Sequence, residues 1–227
     1  MKKFLIILLL LGMYRQVIAH QPRYVFNQGD VNNPIIVEKP EISKAYYGKL
    51  NGQPNYYKIQ NEKDFNLYLN ILAADLKTSR TDFKVEVIKD SQTVFELEGD
   101  KWERFFEEFG GDSYLRGPEF EKQVTGGTYD IKVSNPDNQG RYCLAVGDIE
   151  SFPPGEIINT ILVLPKIKKD FFDKSPLTAF FNLVGLFLLI IIIFILAIVY
   201  IIFYFVKKRK SRKIIINIKN STGFENG

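Results

Sequence analysis

Phe65, Leu67, Leu69 and Ile71 alternate with Asn66, Tyr68 and Asn70, a period of two that predicts a strand with one buried face. The pattern recurs. Phe83, Val85 and Val87 alternate with Lys84 and Glu86, and Tyr129, Ile131 and Val133 with Thr128, Asp130 and Lys132. Shorter candidates lie at Ile42 to Leu50, Tyr56 to Gln60, Thr93 to Leu97, Phe120 to Val124 and Tyr142 to Val146. The separators carry turn chemistry: Asn51-Gly52-Gln53-Pro54, Lys89-Asp90-Ser91, Gly126-Gly127 and the run from Asn135 to Gly140. Short strands at this spacing predict an all-β domain, an antiparallel β-sandwich or jelly roll, over residues 39–150.

One segment departs from the period of two. Trp102, Phe105, Phe106 and Phe109 stand at i, i+3, i+4 and i+7, with Asp100 placed as an N-cap, Glu103 three residues on, and Gly110-Gly111 beyond. This spacing predicts one short amphipathic helix plugging an end of the sandwich. The stretch from Gly110 to Glu119 then carries glycines, a proline, an aromatic and charges of both signs, the make-up of a long irregular loop. If a loop binds a partner, the candidate residues are Asp112, Tyr114, Arg116 and Glu119. The plainer reading leaves the glycines to turn geometry and pairs the charges at the surface.

The two ends of the chain are built differently. Met1-Lys2-Lys3 precedes a short apolar run, and Val17-Ile18-Ala19 sets up a cleavage site, so residues 1–19 read as a secretory signal peptide with His20 as the new N-terminus. Residues 20–38 form an N-terminal extension. Residues 177–206 contain no charge and as a helix would be about 45 Å long, enough to cross a bilayer. The basic run Lys207, Lys208, Arg209, Lys210, Arg212 and Lys213 follows at once. Positive-inside orientation puts these charges, and the tail 207–227, in the cytoplasm and the sandwich outside it. The tail itself reads as unstructured.

Residues 151–176 join the two parts. Ile157, Ile158, Ile161, Leu162 and Leu164 form a broad apolar surface, Pro165 interrupts it, and Lys166, Lys168 and Lys169 follow. The segment is read as lying in the membrane interface, lysines at the headgroups. The alternative is a helix packed on the sandwich with Pro165 as a hinge.

Charge narrows the function. The formal net charge is +4, but residues 1–19 carry +3 and residues 207–227 carry +6, which leaves −5 on residues 20–176. A mildly acidic domain lacks the basic face that nucleic-acid binding needs. One His and one Cys leave no material for a multi-His metal site or a Cys/His dyad inside the fold. No phosphate loop, zinc spacing or nucleophile elbow is present, so no cofactor is expected. Cys143, flanked by Tyr142 and Leu144 in a strand, reads as a small buried residue.

The run from Gly126 to Ser134, Gly-Gly-Thr-Tyr-Asp-Ile-Lys-Val-Ser, followed by Asn138-Gln139-Gly140-Arg141-Tyr142-Cys143-Leu144-Ala145-Val146, resembles the closing hairpin of bacterial pre-peptidase C-terminal domains. Phe65 to Leu72 and Tyr56 to Ile59 resemble earlier strands of the same plan. The resemblance implies a jelly-roll accessory module and supplies no catalytic residue. Residues 99–119 and the membrane anchor depart from it. Together these readings predict a single-pass, membrane-anchored, non-catalytic binding module of the cell envelope. Its partners would be membrane lipid and an envelope protein or a glycan. The alternative is a structural or assembly subunit acting through residues 156–206.

Overall fold

The computed structural model describes residues 20–99 and 101–222, with side chains up to residue 208 apart from Val184. The expected signal peptide and Asp100 lie outside the described residues, as do residues 223–227 and the side chains of Arg209, Lys210, Arg212 and Lys213. The chain divides after Asn182 into two compact units.

The first unit is the expected sandwich. Its strands are β1 (Gln21–Tyr24), β2 (Ile35–Ile36), β3 (Lys44–Asn51), β4 (Asn55–Asn61), β5 (Phe65–Ala74), β6 (Lys84–Lys89), β7 (Gln92–Leu97), β8 (Glu103–Glu107), β9 (Asp112–Val124), β10 (Gly127–Ser134) and β11 (Gln139–Val146). One sheet runs β1-β3-β11-β5-β9-β8 and the other β2-β4-β10-β6-β7. Alternate residues meet between the sheets: Leu50, Tyr57, Ile59, Phe65, Leu67, Leu69, Ile71, Val85, Val87, Ile131, Val133, Tyr142 and Leu144 are wholly buried there. The buried hydroxyls are satisfied. Tyr57 and Tyr142 bond to each other at 2.8 Å, and Asn55 Nδ2 donates to the Tyr142 hydroxyl at 2.8 Å.

Four features differ from expectation. The sheets are mixed, because β1 pairs with β3 and β2 with β4 in parallel at one edge of each sheet. These strands come from residues 20–38, so that stretch is woven into the sandwich rather than extending from it. Secondly, the expected helix around Trp102 is strand β8, paired antiparallel with β9 from Glu103↔Arg116 to Glu107↔Asp112. A run dense in aromatics fits a pleated sheet as well as a helix, and an available partner strand decides between them. Trp102 packs toward the inter-sheet core, Phe105 packs on the opposite face, and Phe106 stays 57% exposed. Thirdly, the expected loop 110–119 is the end of a four-residue hairpin turn over 108–111, with Gly111 at φ 71°, followed by the first half of β9.

Fourthly, the juxtamembrane segment packs on the sandwich rather than lying free for the interface. It forms α1 (Pro154–Asp170), with Pro154 in the first turn and Pro165 inside an unbroken helix. An interior proline costs about 3 kcal/mol. Burial of Ile167, Phe171 and Phe172 against the sheet offsets that cost. A 3-10 turn, Pro176–Phe180, follows it.

The second unit is one helix, α2 (Leu183–Thr222). The span was expected to start at residue 177, but the first residues of that stretch belong to the 3-10 turn. Gly185–Lys208 is the part long and apolar enough to cross a membrane. At 1.5 Å per residue it measures about 36 Å, against a hydrocarbon core of about 30 Å. The backbone stays helical to Thr222, where an unstructured tail was expected.

Candidate binding surface

The outward face of the six-stranded sheet is divided between a covered half and an open half. On the covered half, Ala45, Ala74, Cys143 and Ala145 make a shallow seat with Tyr47, Leu72 and Tyr114, and Ile167, Phe171 and Phe172 settle into it. Small side chains on three neighbouring strands allow the helix end to approach closely. Polar clasps hold it there. Arg23 forms two 2.8 Å bonds with Glu156, the Tyr24 hydroxyl donates to Asp170 at 2.7 Å, and Asn159 Nδ2 donates to the carbonyl of Pro22 at 3.0 Å. Arg141 pairs with Asp173 through bonds of 2.6 and 2.7 Å, and this guanidinium holds the Asp173 carboxyl below the usual carboxylate range.

Asp112, the first candidate residue, lies under this cover and is 2% exposed. Its carboxylate receives Lys168 Nζ on one oxygen and Lys174 Nζ at 2.8 Å on the other. Lys168 also donates to the Gly110 carbonyl at 2.6 Å, as does Asn182 Nδ2 at 2.8 Å. Glu107 closes the hairpin turn by accepting from the backbone N–H of Phe109 at 2.8 Å and Gly110 at 2.7 Å. Burial raises the Glu107 carboxyl above its ordinary value, against the opposing pull of those two donors.

Tyr114, the second candidate, is also buried. Its hydroxyl meets that of Tyr47 at 2.6 Å, and its ring packs edge-on against Phe172 with centroids 5.1 Å apart. Burial raises both phenols well above their usual range. Asp112 and Tyr114 thus seat α1, and neither faces solvent.

The other two candidates lie on the open half. The Arg116 guanidinium stacks 4.0 Å over the Phe105 ring, and Glu119 is exposed and accepts a 3.2 Å bond from the Tyr68 hydroxyl. A bulge between Asn70 and Leu72 shifts the register with β9, and Asn70 Nδ2 donates there to the carbonyls of Gly117 and Pro118. Gly117 is required at that step, since a Cβ would fall 2.8 Å from the Trp102 ring. Below the bulge Asn66 Nδ2 donates to Glu121 Oε1 at 3.0 Å. Tyr68, Asn66 and Glu121 were not among the candidates. The β5 alternation already put Tyr68 and Asn66 on the polar side of their strand, which is the signal that would have found them. This half is an acidic, tyrosine-bearing sheet surface suited to hydrogen bonding with a polar partner.

Elsewhere, Ile158 and Leu162 on α1 are 61% and 66% exposed, facing away from the seat. Among the described residues no group of three His, Cys, Asp or Glu is arranged to hold a metal ion.

No family model matches the chain, and no curated protein matches it. Among solved structures it is similar to the pre-peptidase C-terminal domain of collagenase from Bacillus anthracis, with a TM-score of 0.31 and 10% identity over 57% of this chain and 95% of that one. It is also similar to a β-glucosidase from Kluyveromyces marxianus, with a TM-score of 0.25 and 16% identity over 50% of this chain and 13% of that one. A third match is a β-glucosidase from Paenibacillus barengoltzii, with a TM-score of 0.25 and 12% identity over 56% of this chain and 13% of that one. The kind of domain that the closing hairpin resembles in sequence therefore stands among the solved structures the chain is similar to, and no activity is carried over from any of them.

Proposed function

We propose that this chain is a membrane-anchored binding module that crosses the bilayer once and holds its sandwich outside the cytoplasm. In this reading it recognises an envelope protein or a glycan without catalysis, through the open half of the six-stranded sheet. One observation carries the reading: Tyr68, Arg116, Glu119 and Glu121 share an uncovered face, while Asp112, Lys168 and Tyr114 are buried at the α1 seat. The orientation rests on the bases that begin at Lys207, directly after the apolar helix.

Pull-down in mild detergent tests it. Charge reversal at Glu119 and Glu121, both to Lys, should release the partner while leaving the thermal midpoint of the sandwich unchanged. Protease added to intact cells should remove the sandwich and spare a C-terminal tag. A second reading, an assembly subunit acting through residues 156–206, draws on the exposed Ile158 and Leu162. It predicts the reverse pattern, with partners that survive the charge reversal and are lost with Ile158→Ser and Leu162→Ser.

A further inference from the structure

The first unit ends in a turn that presents large apolar side chains to its surroundings. Leu177 is 67% exposed, Phe180 41% and Phe181 84%. The turn is well formed. Thr178 donates to the Ser175 carbonyl through its backbone N–H at 3.0 Å and its hydroxyl at 2.7 Å, and Phe181 N–H donates to the Thr178 carbonyl at 3.3 Å. Ala179, wholly buried, is the side chain it turns inward. The sandwich holds the turn from both ends, through Lys174 on Asp112 and Asn182 on the carbonyl of Gly110. Apolar residues are therefore fixed on the outside by bonds that a mere flexible connector would not make.

We propose that this turn, Leu177 to Phe181, is a lipid-contacting element seated in the headgroup layer of the bilayer. This rests on the reading of Gly185–Lys208 as the membrane span. Chain length supplies the argument. From Phe181 to Gly185 is four residues, which span at most about 14 Å even when fully extended, and α2 has already begun at Leu183. The headgroup regions add about 10–15 Å in all to a hydrocarbon core of about 30 Å. Phe181 therefore lies within about 14 Å of the start of the span, with Leu177 and Phe180 beside it in the same folded turn, and aromatic and aliphatic side chains near the bilayer surface are stabilised by partial insertion. Residues 154–182 are folded on the sandwich, so no free stalk separates it from the span.

The full chain reconstituted in phosphatidylcholine vesicles containing phosphatidylglycerol provides the test. Nitroxide probes on Leu177→Cys and Phe181→Cys are compared with Phe194→Cys in the middle of the span and Lys77→Cys on the exposed surface. Cys143 is 2% exposed and leaves labelling to the introduced thiol. Power saturation should show the 177 and 181 probes several-fold richer in oxygen contact relative to a water-soluble nickel chelate than the 77 probe, and shallower than the 194 probe. Values at 177 and 181 equal to that at 77, with the 194 probe deep, would overturn the lipid contact and leave the span intact. A water-accessible 194 probe would overturn the membrane reading and the lipid contact with it.

Discussion

Lys168 and Asp112 form an ion pair shielded from water on both sides, each side chain being 2% exposed. It joins the last turn of α1 to the start of β9, so the helix is held by a charge contact set inside an aromatic seat. Removing one member of such a pair leaves the other charge buried and costs about 3–5 kcal/mol, whereas replacing both by apolar residues of similar volume is far milder. Lys168→Met should therefore lower stability, by less than that amount because Lys174 still pairs with Asp112. The double variant Lys168→Met, Asp112→Leu should recover part of it, although Lys174 then loses its carboxylate. A urea-melt double-mutant cycle measures the coupling.

Glu107 gives the hairpin turn a pH dependence. Its folded-state carboxyl is raised above the ordinary 4.5 by burial, so the folded protein holds that proton more tightly than the unfolded chain. The resulting stabilisation is complete below the ordinary value and is lost as pH rises through the folded one. Glu107→Gln removes this titration. The stability of the native protein minus that of the variant should accordingly fall as pH rises above the ordinary 4.5, and a constant difference would contradict the assignment.

Gly48 faces Tyr142 across the β3–β11 ladder. A methyl group added there would fall 2.6 Å from the ring carbon that bears the hydroxyl, and the ring is buried and bonded to Tyr57 and Asn55. Gly48→Ala should cost about 1–3 kcal/mol through overpacking. Gly52→Ala serves as a contrast, because it has open space but a positive φ of 85°. It should lose stability through backbone strain alone, without disturbing the Tyr142 environment in near-ultraviolet circular dichroism.

Cys143 sits behind α1, and burial raises its thiol well above the usual range. Maleimide at pH 8 should leave it unmodified in the native protein and label it fully in urea. Lys168→Met, which loosens the cover, should raise the native labelling rate, as intact-mass spectrometry would record.

The sandwich could be read from the sequence because β5, β6 and β10 each carry a strict alternation that no other element reproduces. β1 and β2 were not readable, since runs of four and two residues have too little periodicity and take their structure from parallel partners elsewhere in the chain. The aromatic run Trp102 to Phe109 misled because its helical spacing was real, while the hydrogen bonds of β9 that settle the outcome are a tertiary property. The candidate residues divided for a similar reason. Asp112 and Tyr114 look like surface binding groups in the sequence, and only the return of α1 over β9 turns them into its anchors. Glu119, beyond the reach of that helix, keeps the exposure the sequence suggested, and Arg116 is half-buried on the Phe105 ring.

The clasp of β1 on α1 also bears on the order of synthesis. Arg23 and Glu156 are 133 residues apart, and Tyr24 and Asp170 are 146 apart. A ribosome delivers β1 among the earliest parts of the sandwich and α1 after its last strand, so the first strand waits for its outer partner until nearly the whole unit has emerged. Contacts of such long range close slowly and late. A chain stalled before residue 156 would leave the alanine-lined seat uncovered and Arg23 without its carboxylate.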